Sequence, residues 1–232
     1  MHGRPLDEPI PVIRFESMPH PDVKKNLVEC ITCMTRRGHD SRTAWRAFID
    51  WLLWGFGAHL AGAFPVEVTE EISWDWYRTF DMSLMLVHPT DYMAWGSCEL
   101  ANMSYSGNPT GYFPTPMNVS IMMARMLMTG ADTRSQINDP CLGTGSMLFE
   151  ASNYSLRLSG QDINHDMVKM ATVNAWLYIP WLAYNADDRI DWHTKKDYEQ
   201  ALQACRDWET AQENGTLLIP HREKEHSLRD WV

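Results

Sequence analysis

Residues 139–145 read Asp139-Pro140-Cys141-Leu142-Gly143-Thr144-Gly145, two glycines flanking a threonine where a short apolar run gives way to a helical pattern beginning at Ser146. Glycine has no Cβ and tolerates positive φ, so such a turn lets backbone N–H groups approach a nucleotide-like ligand at the start of the next helix. Dinucleotide-binding loops use the same physics with three glycines at G-x-G-x-x-G. Here the third glycine is absent, and an acidic residue followed by proline opens the turn. Two further segments flank it. Upstream stands Gly111-Tyr112-Phe113-Pro114-Thr115-Pro116, after which Asn118 is expected to cap a methionine-rich helix from Val119 to about Met128, closed by Gly130. Downstream, Leu156 to Ile163 alternates like a strand and places Asp162 near its end, with Asn164 as the cap of a helix to about Leu177. A carboxylate at the end of the second strand of an open α/β sheet is placed to hold ribose hydroxyls. The bland alternative for the glycine turn is a strand-to-helix connection with no ligand. The matching order of the Thr115-Pro116 loop and Asp162 weighs against it.

Taken together, these segments resemble the N6-adenine DNA methyltransferase family, especially the modification subunits of type I restriction systems. The family's Asp-Pro-Ala-Cys-Gly-Thr-Gly motif is matched by residues 139–145 with Cys141 and Leu142 as the central pair. Its Gly-x-Phe-x-Thr-Pro motif is matched by residues 111–116, and its Gly-Gln-Asp/Glu-Ile-Asn segment by residues 160–164. The likeness runs over roughly residues 80–185 and is specific as a set. It implies an α/β architecture: a helical N-terminal lobe over 1–108, then a truncated Rossmann-like S-adenosylmethionine-dependent methyltransferase domain over 109–232. It also implies a pocket. Gly143, Thr144 and Gly145 would wrap the methionine part of S-adenosylmethionine, with Asp139 toward its ammonium group and Pro140 and Cys141 in the same motif. The loop from Tyr112 and Phe113 through Thr115 to Pro116 would close over the methionine end, where the Thr115 hydroxyl and the following helix N-terminus meet the carboxylate. Asp162 would accept from both ribose hydroxyls, Ile163 would pack on adenine, and Asp187 or Asp188 would read the adenine amino group.

Methylating an exocyclic amine needs acceptors around the nitrogen, because its lone pair is delocalised into the ring. The family supplies them with Asn/Asp-Pro-Pro-Tyr/Phe, whose aromatic ring stacks on the flipped base. No such tetrapeptide occurs in these 232 residues. The nearest strings are Tyr178-Ile179-Pro180-Trp181, Ile219-Pro220-His221 and His88-Pro89-Thr90-Asp91-Tyr92. Three functions follow. One is a minimal adenine methyltransferase acting on DNA, with acceptors from a divergent segment or another subunit. Another is a noncatalytic regulator or antagonist working through protein contacts in a DNA-modification system. The third is a cofactor-using enzyme with a non-DNA substrate. The stretch after residue 185 reads as a helix capped by Thr194, an Asn214-Gly215 turn and one short apolar run, Thr216 to Ile219. The sheet is therefore expected to be abbreviated, and its unpaired edges invite a protein partner or a second copy.

The elements that must position these residues are framed by composition. At 44% hydrophobic the chain can bury a proper core. The net charge of −10 opposes strong nonspecific binding to a polyphosphate, though a local basic face could still meet DNA. Lys24-Lys25, Arg36-Arg37, Arg42 and Arg46 form the one noticeable basic cluster, read as a solvated helix face. The N-terminus shows no charged-then-apolar leader, and five cysteines suggest no disulfide framework, so a cytoplasmic setting is expected. The apolar stretch Trp51 to Phe64 is too short for a bilayer and reads as a buried helix, so no membrane association is expected. Helices are expected from Pro21 toward Gly38, from a Ser41 cap through Leu53, and after Thr69 through Phe80. Cys30 and Cys33 read as buried structural thiols rather than a metal pair, and His221 and His226 as a solvated end. The tryptophans should mostly be core, with Trp181 placed to meet a base or partner.

Overall fold

The computed structural model describes residues 12–58, 64–102 and 112–179. The expectations placed on Gly111, Trp181, Asp187, Asp188, Thr194, Asn214-Gly215, Thr216–Ile219, His221 and His226 lie outside them. Within the described residues the chain begins with α1 (Pro21–Thr35), α2 (Ser41–Gly55), α3 (Glu70–Thr79), α4 (Met82–Val87) and α5 (Tyr92–Glu99). It continues with α6 (Met117–Leu127), β1 (Gln136–Asp139), α7 (Ser146–Ala151), β2 (Arg157–Gly160) and α8 (His165–Tyr178). The architecture is thus helices around a small two-stranded parallel sheet.

Most helix starts follow from a side chain that satisfies backbone N–H groups the helix cannot. Thr69 accepts from Ile72 N, and Asn164 from Asp166 N. The structure corrects two expected caps. Asp40, not Ser41, caps α2, because its carboxylate reaches both Arg42 N and Thr43 N at 3.0 Å. Helix α6 starts at Met117 rather than after Asn118: Pro116 stands at the cap and its carbonyl accepts from Val119 N and Ser120 N, with no side-chain cap.

β1 and β2 pair in parallel, Gln136 opposite Arg157 through Asp139 opposite Gly160, and α7 makes the crossover that parallel strands require. The second strand is shorter than its alternating pattern suggested. Beyond Gly160, Gln161 N still bonds Asp139 O, but the Gln161 carbonyl turns to Leu142 N, so the chain leaves the ladder for the glycine turn.

One buried apolar cluster runs from Ile13 and Phe15 through α1, α2 and α3 to Phe149 and the inner face of α8. Phe48 lies edge-on to Trp76 and Phe80, with centroids 5.2 and 5.4 Å away. The two fully buried indoles are satisfied: Trp76 donates to Cys30 O at 2.7 Å and Trp45 to Met170 Sδ at 3.4 Å, whereas the Trp176 Nε1 is buried without a partner among the described residues. Cys30 is buried, which pushes its thiol pKa up; Cys33, expected to be buried too, is half-exposed, with its thiol on Glu29 O. Two ion pairs join α2 to α8, Arg46 to Asp166 at 2.5 Å and Lys169 to Asp50 at 2.7 Å. Arg37 pairs with Asp75, so part of the basic cluster is spent on acids of the chain itself. No helix among the described residues is long and apolar enough to cross a membrane.

Candidate functional site

The chain turns sharply at the end of β1 because Asp139 Oδ1 accepts from Cys141 N at 3.0 Å, closing a turn over Pro140. Gly143 and Gly145 follow at φ +54° and +93°, left-handed values that favour glycine. A Cβ on Gly145 would also stand 2.9 Å from the Phe149 ring. Gly145 thus caps α7 and packs it close. The Gly143 N–H donates to Asp162 Oδ2 at 2.9 Å, and Asp162 Oδ1 accepts from Asn164 N at 2.8 Å. One carboxylate therefore ties the glycine turn to the β2–α8 turn.

Beneath the glycine turn lies a buried polar group. The Thr144 hydroxyl donates to Asp91 Oδ2 at 2.6 Å and lies 3.1 Å from the Tyr112 phenol. Asn174 donates from Nδ2 to Asp91 Oδ1 at 2.9 Å and to the Thr144 carbonyl at 3.0 Å. Asp91 also caps α5, accepting from Ala94 N at 2.9 Å. Burial pushes the Asp91 carboxyl above the usual range, against the hydrogen bonds from Thr144, Ala94 and Asn174. Burial likewise pushes the Tyr112 phenol up, and the nearby Asp91 adds to it.

Three chain segments open onto a single cleft of about 380 Å³, within the range of small-molecule sites. Tyr112, Phe113 and Thr115 line it from the loop before α6; Asp139, Pro140, Cys141, Gly143 and Thr144 from the β1–α7 turn; Asp162 and Ile163 from the β2–α8 turn. Pro116 and Gly145 do not line it, being taken up as the caps of α6 and α7. The Thr144 hydroxyl faces inward to Asp91 and not the cleft, which qualifies the wrapping role expected of it. Phe113 and Ile163 are 77% and 93% exposed, so two large apolar side chains border the cleft with little protein covering them.

Further residues to which the sequence assigns no ligand contact stand here. Pro114, Leu142, Ser146, Met147, Asn164 and Met167 also line the cleft. Ser146 and Met147 are the first residues of α7, and Met167 lies in the first turn of α8, positions that any ligand at those helix ends would face. In the sequence Asp91 stands out only within the His88–Tyr92 string. Its signal was that of an ordinary N-cap, Thr90-Asp91 ahead of an apolar helix.

Residues 100–189 match the family model described as N-6 DNA Methylase, and the small parallel βαβ unit is consistent with a partial methyltransferase fold. That segment holds α6 to α8, both strands and the whole cleft. A methyltransferase family assignment is further supported by similarity to the tRNA (guanine(10)-N2)-dimethyltransferase of Pyrococcus abyssi (strain GE5 / Orsay), 36% identical over 66 residues, which is 28% of this chain and 20% of that protein. The chain thus aligns with about a fifth of that relative's length. No solved structure matches significantly.

Proposed function

We propose that this protein binds S-adenosylmethionine in the cleft between the 112–116 loop, the glycine turn and Asp162, as a member of the N6-adenine methyltransferase family, and transfers its methyl group to adenine in DNA. The observation that carries this is the convergence of three sequence motifs on one cleft of suitable size. The groups lining the cleft fit the ligand. Asp139 lines the cleft and keeps Oδ2 without a partner among the described residues, so it can accept from the ligand's ammonium group. Asp162 spends one lone pair of each oxygen on Gly143 N and Asn164 N, and each oxygen retains another for a ribose hydroxyl. Thr115 lines the cleft one residue ahead of the Pro116 cap of α6, and its hydroxyl can donate to the ligand carboxylate. Ile163 supplies an exposed apolar face for adenine.

The bound cofactor supplies an electrophilic methyl on a sulfonium sulfur. What the chain contributes is positioning, holding that carbon in line with an acceptor nitrogen. The acceptor class common to the matched family and the tRNA-directed relative is the exocyclic amine of a nucleobase, adenine N6 for one and guanine N2 for the other. The absence of Asn/Asp-Pro-Pro-Tyr/Phe and the net charge of −10 favour a second reading, a noncatalytic regulator acting through protein contacts.

Titration calorimetry decides the cofactor. The wild-type chain should bind S-adenosylmethionine, and Gly143→Trp and Asp162→Ala should each abolish the heat; a wild type without binding would overturn the cofactor reading. Host DNA from cells expressing the chain then separates catalysis from regulation. New N6-methyladenine supports methyl transfer, and its absence despite cofactor binding supports the regulator.

A further inference from the structure

Asp91 lies outside the matched segment and does not line the cleft, yet its carboxylate joins the glycine turn and α8, which do line it, to α5. Oδ1 takes Ala94 N of α5 and Asn174 of α8; Oδ2 takes the Thr144 hydroxyl of the glycine turn. Thr144 has one hydroxyl proton, and with that proton on the carboxylate its oxygen is left as an acceptor, so the Tyr112 O–H at 3.1 Å donates to it. Were Asp91 to carry a proton, the same chain of bonds would run in the opposite direction and remain closed. The Tyr112 ring also lies against the turn: a Cβ on Gly143 would sit 3.3 Å from Tyr112 Cε2. Two of the three segments that line the cleft are therefore joined to each other by a side-chain relay, and that relay ends on a buried anchor.

We infer that Asp91 is a positioning residue, which through Thr144 and Tyr112 holds the 112–116 loop against the glycine turn and so fixes the width of the cleft before any ligand arrives. A ligand then meets a preset site and loses less affinity to ordering it. The positioning itself is a property of the free protein; only its effect on affinity rests on the cofactor reading above.

Two measurements test this on the full chain. Amide hydrogen exchange of the free protein reads the latch alone. Thr144→Val, Tyr112→Phe and Asp91→Ala should each speed exchange several-fold in both 112–116 and 143–145, while peptides of α2 stay protected. Thr144→Ser, which restores the hydroxyl, should return both segments to wild-type rates. Because Thr144→Val and Tyr112→Phe leave the α5 cap intact, their effect is not loss of that helix. Exchange unchanged, or faster only in the mutated segment, would overturn the inference. Affinity for S-adenosylmethionine is the second measurement. Thr144→Val and Tyr112→Phe should each weaken binding roughly three- to tenfold, the scale of one net hydrogen bond, and the double variant should be no weaker than either single one. Multiplicative losses would show that the two residues act independently and would overturn the coupling. If the wild type binds no S-adenosylmethionine, the cofactor reading fails, and the exchange measurement still decides the latch.

Discussion

Asp91 sits where burial and hydrogen bonding oppose each other. Desolvation raises its pKa, and the donors from Thr144, Ala94 and Asn174 lower it without cancelling the rise. A carboxyl with a raised pKa holds its proton more tightly in the folded chain than in the unfolded one. Its contribution to stability is therefore full below the unfolded pKa of about 3.9 and is lost as pH climbs through the folded value. Asparagine at this position keeps an acceptor for Ala94 and Asn174 and offers an amide to Thr144, yet does not ionise. Urea unfolding of wild type and Asp91→Asn from about pH 4 to about pH 7 should show the variant gaining on the wild type as pH rises. Glu150, whose pKa burial also raises, is common to both proteins and drops out of the difference. Parallel stability curves would mean that Asp91 ionises in the fold as easily as in the unfolded chain.

Helix α5 shows why some elements could be read from sequence and others could not. The starts of α1, α3 and α8 follow from local chemistry, Pro21 at a first helical position, Thr69 and Asn164 as caps. Helix α5 has a cap of the same kind in Asp91 but no helical periodicity behind it. It buries Tyr92, Met93, Ala94, Gly96 and Ser97, residues on several sides of the helix, so no polar face sets off an apolar stripe at helical spacing. Gly96 within it looks like a helix weakener. Its purpose is tertiary, since a Cβ there would lie 2.2 Å from the ring of the fully buried Trp45. Gly96→Ala should accordingly destabilise the chain by about 1–3 kcal/mol through overpacking, although alanine is the better helix former. A lowered midpoint in thermal unfolding checks this; an unchanged or raised one would show that Trp45 has room to move. The candidate site divides in the same way. Its three motifs were legible because each is a local string whose glycine, proline or carboxylate has a local reason. The Asp91–Thr144 bond was not, because it joins side chains 53 positions apart on elements that meet only after folding.

At the scale of the whole molecule, a boundary near residue 108 divides the sequence by pattern, helices before and motifs after, but the buried cluster extends across it. Phe15 packs on Phe149 and Tyr178, with ring centroids 6.0 and 5.8 Å away. Asn153 both donates to Ile13 O and accepts from Ile13 N, at 3.0 and 2.7 Å. Met170 of α8 receives the Trp45 indole and the Ser97 hydroxyl, and Asp91 supports the glycine turn from below. Expressing residues 109–232 alone would expose the inner face of α8, with Met167, Met170, Val173, Leu177 and Tyr178, and would leave Thr144 and Asn174 without their carboxylate. An apolar face of that extent, stripped of its partner, favours aggregation over folding. The fragment should therefore lack a cooperative thermal transition, while the full chain unfolds in a single step seen alike by tryptophan fluorescence and by far-ultraviolet circular dichroism. A fragment that melts cooperatively and still binds S-adenosylmethionine would show that the cleft stands without the preceding helices, and that Asp91 is dispensable to it.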